Sequence, residues 1–148
     1  MTAQALVAQL TLRGETLACA ESLTGGLLCD RIVQVPGASK VFMGGIVAYD
    51  TGRKVTLLGV DPETLRRHTA VSAETAAEMA RGARRRLQTT WALAATGYAG
   101  PDGDDVGLVY IALDGPHGTV TRQCRFAGGR EAIRNQAAQA ALNLFNLE

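Results

Sequence analysis

The sequence predicts one α/β domain spanning residues 1–148, a three-layer α/β/α sandwich on a mixed, mostly parallel sheet with a late β-hairpin. Three observations carry this. Apolar runs of strand length alternate with helix-period segments along most of the chain. Two loops rich in Gly and hydroxyl groups directly follow predicted strands, as ligand loops do in open α/β sheets. Near the end, two β-rich runs flank a Gly-Pro turn, the signature of a hairpin. A length of 148 residues supports one hydrophobic core and is short for two.

The elements follow in order. Leu6, Val7, Leu10 and Leu12 fall at helical spacing over residues 2–13, and Gly14 stops the pattern. Thr16 to Ala20 reads as a strand running into the tight turn Glu21 to Gly26, after which Leu27, Leu28, Ile32 and Val33 resume a helical face. Pro36-Gly37 marks a turn. Val41 to Tyr49 is a strand, and Gly44-Gly45 within it predicts a bulge or a close backbone approach. Thr51 to Leu58 and Pro62 to His68 are short helices, and Ser72 is a good N-cap for an Ala-rich helix ending near Leu87. Trp91 to Thr96 is a strand. Val106 to Leu113 and Thr119 to Phe126 form the hairpin, and a helix from about Arg130 to Phe145 closes the chain.

Composition excludes several classes. A net charge of +1, with no basic and aromatic stripe, gives nucleic acid little to bind. The densest basic run, Arg84-Arg85-Arg86, sits at a predicted helix end, where positive charge complements the dipole. No apolar run reaches membrane-spanning length, and the first ten residues lack a secretory pattern. Three cysteines, Cys19, Cys29 and Cys124, form no CxxC pair and fit a reducing cytoplasm better than a disulfide framework. Apolar helices favour a homo-oligomer.

The chemistry concentrates in the two loops. Amides of Thr24, Gly25 and Gly26 at a helix start suit an anion, while Ser22 on the same turn suits a nucleophile whose oxyanion those amides would hold. A plain helix cap is an equally good reading of Ser22 or Thr24. A Ser nucleophile needs a base, and His68 and His117 are the only histidines, His117 lying in a Gly-Pro turn. Lysine is scarce too, only Lys40 and Lys54, and unlike Arg it can act as a base when its pKa falls. Lys54 lies close in sequence to Tyr49, although a surface lysine is the commoner reading. Glu21 could orient Lys54 or Ser22, or face a helix end.

Several blocks together are similar to one family. Ala20-Glu21-Ser22-Leu23-Thr24-Gly25-Gly26, Val35-Pro36-Gly37-Ala38-Ser39, Gly44-Gly45-Ile46-Val47-Ala48-Tyr49, Thr96-Gly97-Tyr98-Ala99-Gly100-Pro101 and Val106-Gly107-Leu108-Val109-Tyr110 occur in order. They resemble the CinA C-terminal domain over nearly the whole chain. The resemblance implies hydrolysis of the amide of nicotinamide mononucleotide to nicotinate mononucleotide and ammonia, a pyridine nucleotide salvage step without metal or cofactor. It implies Ser22, Tyr49, Lys54 and Thr96 as catalytic positions, with Arg130 or Arg134 as the functional late Arg. Ser22 would attack, Lys54 would take its proton, and Tyr49 would position or relay. Thr96 and the Gly25-Gly26 amides are candidates for the oxyanion, and Arg130 for the 5′-phosphate. Thr24, Gly97 and Gly100 complete the expected binding set. Which loop takes phosphate and which takes the amide stays open.

Two departures stand out. Pro101 to Val106 is shorter than usual and lacks the common Lys-Pro, and Gly129 replaces a frequent Asp beside Arg130. A non-catalytic nucleotide-binding or regulatory member is therefore the alternative reading.

Overall fold

The computed structural model describes residues 1–147. Thr2 opens the first helix, α1 (Ala3–Arg13), by accepting the Ala5 N–H on its hydroxyl at 3.0 Å, and Gly14 closes it in the left-handed region that glycine favours. The chain then runs β1 (Leu17–Glu21), α2 (Leu27–Val33), a 3-10 turn at Ala38–Lys40, β2 (Phe42–Val47), α3 (Thr51–Leu58), α4 (Pro62–His68) and α5 (Ala73–Leu87). It continues through β3 (Trp91–Gly97), β4 (Leu108–Gly115), β5 (Gly118–Arg125) and α6 (Arg130–Asn143), and a 3-10 turn follows at Leu144–Leu147. The last α-helix is thus two residues shorter than its apolar pattern suggested, the chain tightening into the 3-10 turn that seats Phe145 against Trp91.

The sheet has the order β2-β1-β3-β4-β5. β1 pairs parallel with both β2 and β3, and the final hairpin adds β4 and β5 antiparallel, giving the mixed α/β sandwich expected. The hairpin turn is tight: Gly115 pairs with Gly118, leaving Pro116 and His117 at the tip. Along β2 the register jumps, with Leu17 opposite Phe42 but Ala18 opposite Gly44, so Met43 is the extra residue of a bulge. The expected close approach is there too. A Cβ on Gly45 would stand 2.2 Å from Cys29 Sγ, so α2 can rest against β2 only where no side chain intervenes.

Alternation along the strands builds two cores. Leu17, Cys19, Leu93, Ile111 and Leu113 point to the layer of α1, α2 and α6. Ala18, Ala20, Ala92, Ala94 and Ala112 point to the layer of α3, α4 and α5. Because β1, β2 and β3 are parallel, their carboxyl ends share one edge, and the chain leaves β1 over one face to β2 and returns over the other to β3, which puts a switch point there. That edge is where a ligand crevice belongs in such a sheet. No helix is long and apolar enough to cross a membrane among the described residues.

Candidate active site

Each of the three parallel strands delivers one side chain to that edge. Ser22 follows β1, Tyr49 follows β2, and Thr96 sits at the end of β3. Lys54 comes up from within α3, a helix begun at Asp50 immediately after β2, so the short connection fixes how far the amine can reach. Together with Leu23, Gly97 and Arg130, these residues line a cavity of about 210 Å³. Ala70 and Val71, from the segment before α5, form another wall.

Lys54 is fully buried, 1% exposed, which overturns the surface-lysine reading. Its Nζ lies 3.0 Å from Ser22 Oγ, 2.9 Å from the Ala48 carbonyl and 3.1 Å from the Tyr49 carbonyl. As an ammonium it donates to all three. As a neutral amine it keeps two N–H bonds to the carbonyls and turns its lone pair to the Ser22 hydroxyl, so the same three contacts serve both protonation states. Burial pushes the Lys54 amine below its ordinary value, and the nearby Asp50 charge opposes part of that shift. A buried amine with a lowered pKa in contact with a serine hydroxyl is the geometry of a nucleophile and its base.

The other expected residues divide. Thr96, 1% exposed, donates its hydroxyl proton to the Ala70 carbonyl at 2.8 Å. It therefore meets the cavity as an acceptor, not as the oxyanion donor that was expected. The Tyr49 side chain is 62% exposed, and its hydroxyl bonds Arg130 at 3.2 Å. Tyr49 reaches Lys54 only through its carbonyl, so the phenol is a rim group here and not a proton relay. Arg130 also donates to the Gly100 carbonyl and stands at the cavity mouth.

Arg134 is turned elsewhere. Its guanidinium donates to the Leu23 carbonyl at 2.8 Å and the Thr24 carbonyl at 2.9 Å, bracing the Ser22 loop from behind. Gly97 lines the cavity, while Gly100 meets it only through the Arg130 contact. The amides of Gly25 and Gly26 do not hold an open anion site as expected. Gly25 N–H closes a turn on the Ser22 carbonyl at 3.1 Å, and Gly26 N–H goes to Glu21 Oε1 at 3.1 Å. The Thr24 side chain is fully buried and does not line the cavity.

Glu21 explains this. It is completely buried and also accepts Leu28 N–H on Oε1 at 2.9 Å and Cys29 N–H on Oε2 at 3.0 Å. Of its three possible roles the structure selects the helix end: the carboxyl group occupies the start of α2, where the free amides and the dipole favour an acceptor. The wall formed by Ala70 and Val71 was not among the expected site residues, because what it offers is a backbone carbonyl.

A larger groove of about 770 Å³ lies by the end of α5 and the hairpin turn, lined by Arg81, Arg84, Arg85 and Asp114 among others. One ion pair forms within it, Arg84 with Asp114. Arg84 donates to the Asp114 carboxylate at 3.4 Å and the Gly115 carbonyl at 3.1 Å, and Arg81 donates to Thr119. The Thr119 hydroxyl donates to Asp114 Oδ1 at 2.8 Å, on a carboxylate that Arg84 also holds, and the groove brings no lysine to a hydroxyl. Among the described residues, no group of three or more His, Cys, Asp or Glu side chains is placed to hold a metal ion.

Comparison with known proteins agrees with the fold. The sequence matches the CinA C-terminal domain over residues 1–148. The chain belongs to that family. A CinA-like protein from Frankia casuarinae is 52% identical over 138 residues, covering 91% of this chain, and one from a Cyanothece species is 51% identical over 137 residues, covering 88%. The chain spans about one third of the length of these curated relatives, 32% and 33%. Among solved structures, the competence/damage inducible protein CihA from Agrobacterium tumefaciens superposes with a TM-score of 0.94 at 36% identity, covering 98% of this chain and 92% of that one. A CinA superfamily protein from Escherichia coli gives 0.95 at 33% identity, covering 99% and 88%. The CinA domain is thus a five-stranded mixed sheet with helices on both faces.

Proposed function

We propose that this CinA domain hydrolyses the amide of nicotinamide mononucleotide, with Ser22 as nucleophile and Lys54 as its base. The observation that carries the reading is the 3.0 Å contact between Ser22 Oγ and a buried Lys54 amine whose pKa is lowered. A helix cap needs no amine, and a phosphate site uses an amine kept charged, not one whose pKa is lowered.

In the forward step Lys54, neutral, takes the Ser22 proton as Oγ bonds to the amide carbon, and the carbonyl electron pair moves onto oxygen. Lys54 then gives that proton to the amide nitrogen, the C–N bond breaks and ammonia leaves. Water attacks the acyl-serine ester, losing a proton to Lys54, and Ser22 departs with that proton restored. Thr96 Oγ1, its own proton committed to Ala70, accepts from the amide NH2 and so favours an amide over an acid. The pyridinium charge of the substrate disfavours an ammonium at Lys54, adding to the effect of burial. Arg130, whose guanidinium lines the mouth beside Tyr49 and Gly100, takes the 5′-phosphate in this reading.

The test is ammonia release from nicotinamide mononucleotide by purified protein. Ser22→Ala and Lys54→Ala, each folded by circular dichroism, lose activity by roughly 10³-fold or more. Folded wild type that releases no ammonia overturns the assignment in favour of a nucleotide-binding role for the same cavity.

A further inference from the structure

The turn that carries Ser22 has nearly all of its backbone polar groups engaged. Ser22 N–H donates to the Ala95 carbonyl at 3.1 Å, Gly25 N–H to Ser22 O, and Leu27 N–H to Thr24 O at 2.9 Å. Gly26, Leu28 and Cys29 N–H go to the buried Glu21 carboxyl group. The Leu23 and Thr24 carbonyls are held by Arg134. What is left is a pair. Among the described residues neither Leu23 N–H nor Thr24 N–H has a protein acceptor, although Leu23 is 4% exposed and Thr24 is fully buried.

Peptide geometry says where one of these donors points. In a trans peptide the C=O and the following N–H face opposite ways. Because the Leu23 carbonyl is drawn to Arg134, the Thr24 N–H is turned away from α6. Leu23 itself lines the cavity beside Ser22. Buried backbone N–H groups without a partner are rare, and two in succession beside a nucleophile form a preorganised cradle for developing negative charge. We infer that the Leu23 amide, on the cavity wall beside Ser22, is the oxyanion donor of this site, with the Thr24 amide next to it in the turn, and that Glu21 and Arg134 are the positioning residues that hold them in place. Glu21 grips the turn by its later N–H groups and Arg134 by its carbonyls, so the two act from opposite sides on one segment. This replaces the Gly25 and Gly26 amides, which have protein acceptors already.

The inference rests on Ser22 being the nucleophile but not on the identity of the amide, and the experiment separates the two. An aryl fluorophosphonate reacts with an activated serine by forming an O–P bond at Oγ as the hydroxyl proton passes to Lys54 and the P–F bond breaks to expel fluoride, and its phosphoryl oxygen needs the same donors. The rate of Ser22 phosphonylation is followed by intact mass for wild type, Glu21→Gln, Arg134→Met and Arg134→Lys, with thermal melting to confirm folding. Wild type is labelled, and Ser22→Ala is not. Glu21→Gln and Arg134→Met are labelled at least tenfold more slowly, Arg134→Lys recovers part of the rate, and the pH at which labelling rises stays where it is in wild type, since neither residue touches Lys54. With nicotinamide mononucleotide the same variants lose kcat while KM holds. Wild type that labels but releases no ammonia removes the substrate assignment and leaves the cradle standing. The cradle is overturned by unlabelled wild-type Ser22, by unchanged rates in both variants, or by a displaced pH profile, which would place the effect on Lys54. Should Glu21→Gln fail to fold, Arg134→Met with its Lys counterpart decides alone.

Discussion

On the face under α1, α2 and α6 the strands present Leu17, Trp91, Leu93, Val109, Ile111 and Leu113, whereas on the face under α5 they present Ala18, Ala20, Ala92, Ala94 and Ala112. The difference separates two jobs. Large side chains on the first face bury area, and each adds the transfer free energy of a full aliphatic side chain, about 1.5–3 kcal/mol. Methyl groups on the second bury little, but they let α5 lie close across β1, β3 and β4. That close layer continues outward. A Cβ on Gly82 of α5 would stand 1.8 Å from the Leu58 carbonyl, so α3 crosses α5 with no side chain between them. The thin face thereby places α3 low enough for Lys54 to reach Ser22, while the thick face supplies stability.

Substitutions can break this contrast. The largest loss of stability belongs to the thick face. Leu93→Ala, at a fully buried position, costs about 2–5 kcal/mol in urea denaturation. Activity per folded molecule is retained. Gly82→Ala costs less, about 1–3 kcal/mol, because it overpacks and leaves no cavity. It nevertheless lowers kcat, since the added methyl displaces Leu58 and with it the helix carrying Lys54. Equal activity losses in these two variants would erase the distinction between the faces.

A finer prediction concerns pH. Folding lowers the Lys54 pKa, so between the folded value and the unfolded value of about 10.4 the unfolded chain binds more protons and stability rises with pH. Below the folded value the full cost of the buried ammonium is present. Lys54→Met removes that cost, so its melting temperature relative to wild type is highest at low pH, and the difference shrinks as pH rises through the folded pKa. The wild-type hydrolysis rate climbs around the folded pKa, at the lower edge of that window, as the neutral base forms. A melting difference independent of pH would show that Lys54 does not change its proton affinity on folding.

The smallest effect on activity is expected in the larger groove. Arg84→Met leaves the buried Asp114 carboxylate to Thr119 alone and frees the Thr90 and Gly115 carbonyls, which costs about 1–3 kcal/mol of stability while ammonia release is unchanged. Loss of activity there would relocate the site.

Much of the fold was legible because its signals are local. Gly14 ends α1, Ser72 caps α5 by accepting Thr75 N–H at 3.1 Å, and Gly44-Gly45 marks both the bulge in β2 and its contact with Cys29. Ser22 and Lys54 were also readable as chemistry, since a scarce lysine and a serine on a glycine turn are unusual choices. Their contact was not readable, because 32 residues separate them and only the sheet closes that distance.

The roles within the loop were the hardest to foresee. Which amides of Ser22 to Cys29 are free depends on where Glu21 and Arg134 point, and residue types do not encode a direction. Likewise Thr96 reads as a donor until Ala70, from a distant segment, takes its proton. The sequence by itself determined the order of elements, the alternation that divides the core in two and the residue types at the edge, since these follow from short-range sterics and the period of apolar side chains. Only the tertiary structure decided that Lys54 is buried, that Gly25 and Gly26 are spent and that Tyr49 faces outward, because burial and hydrogen-bond partnership are properties of what lies nearby in space, most of it far along the chain.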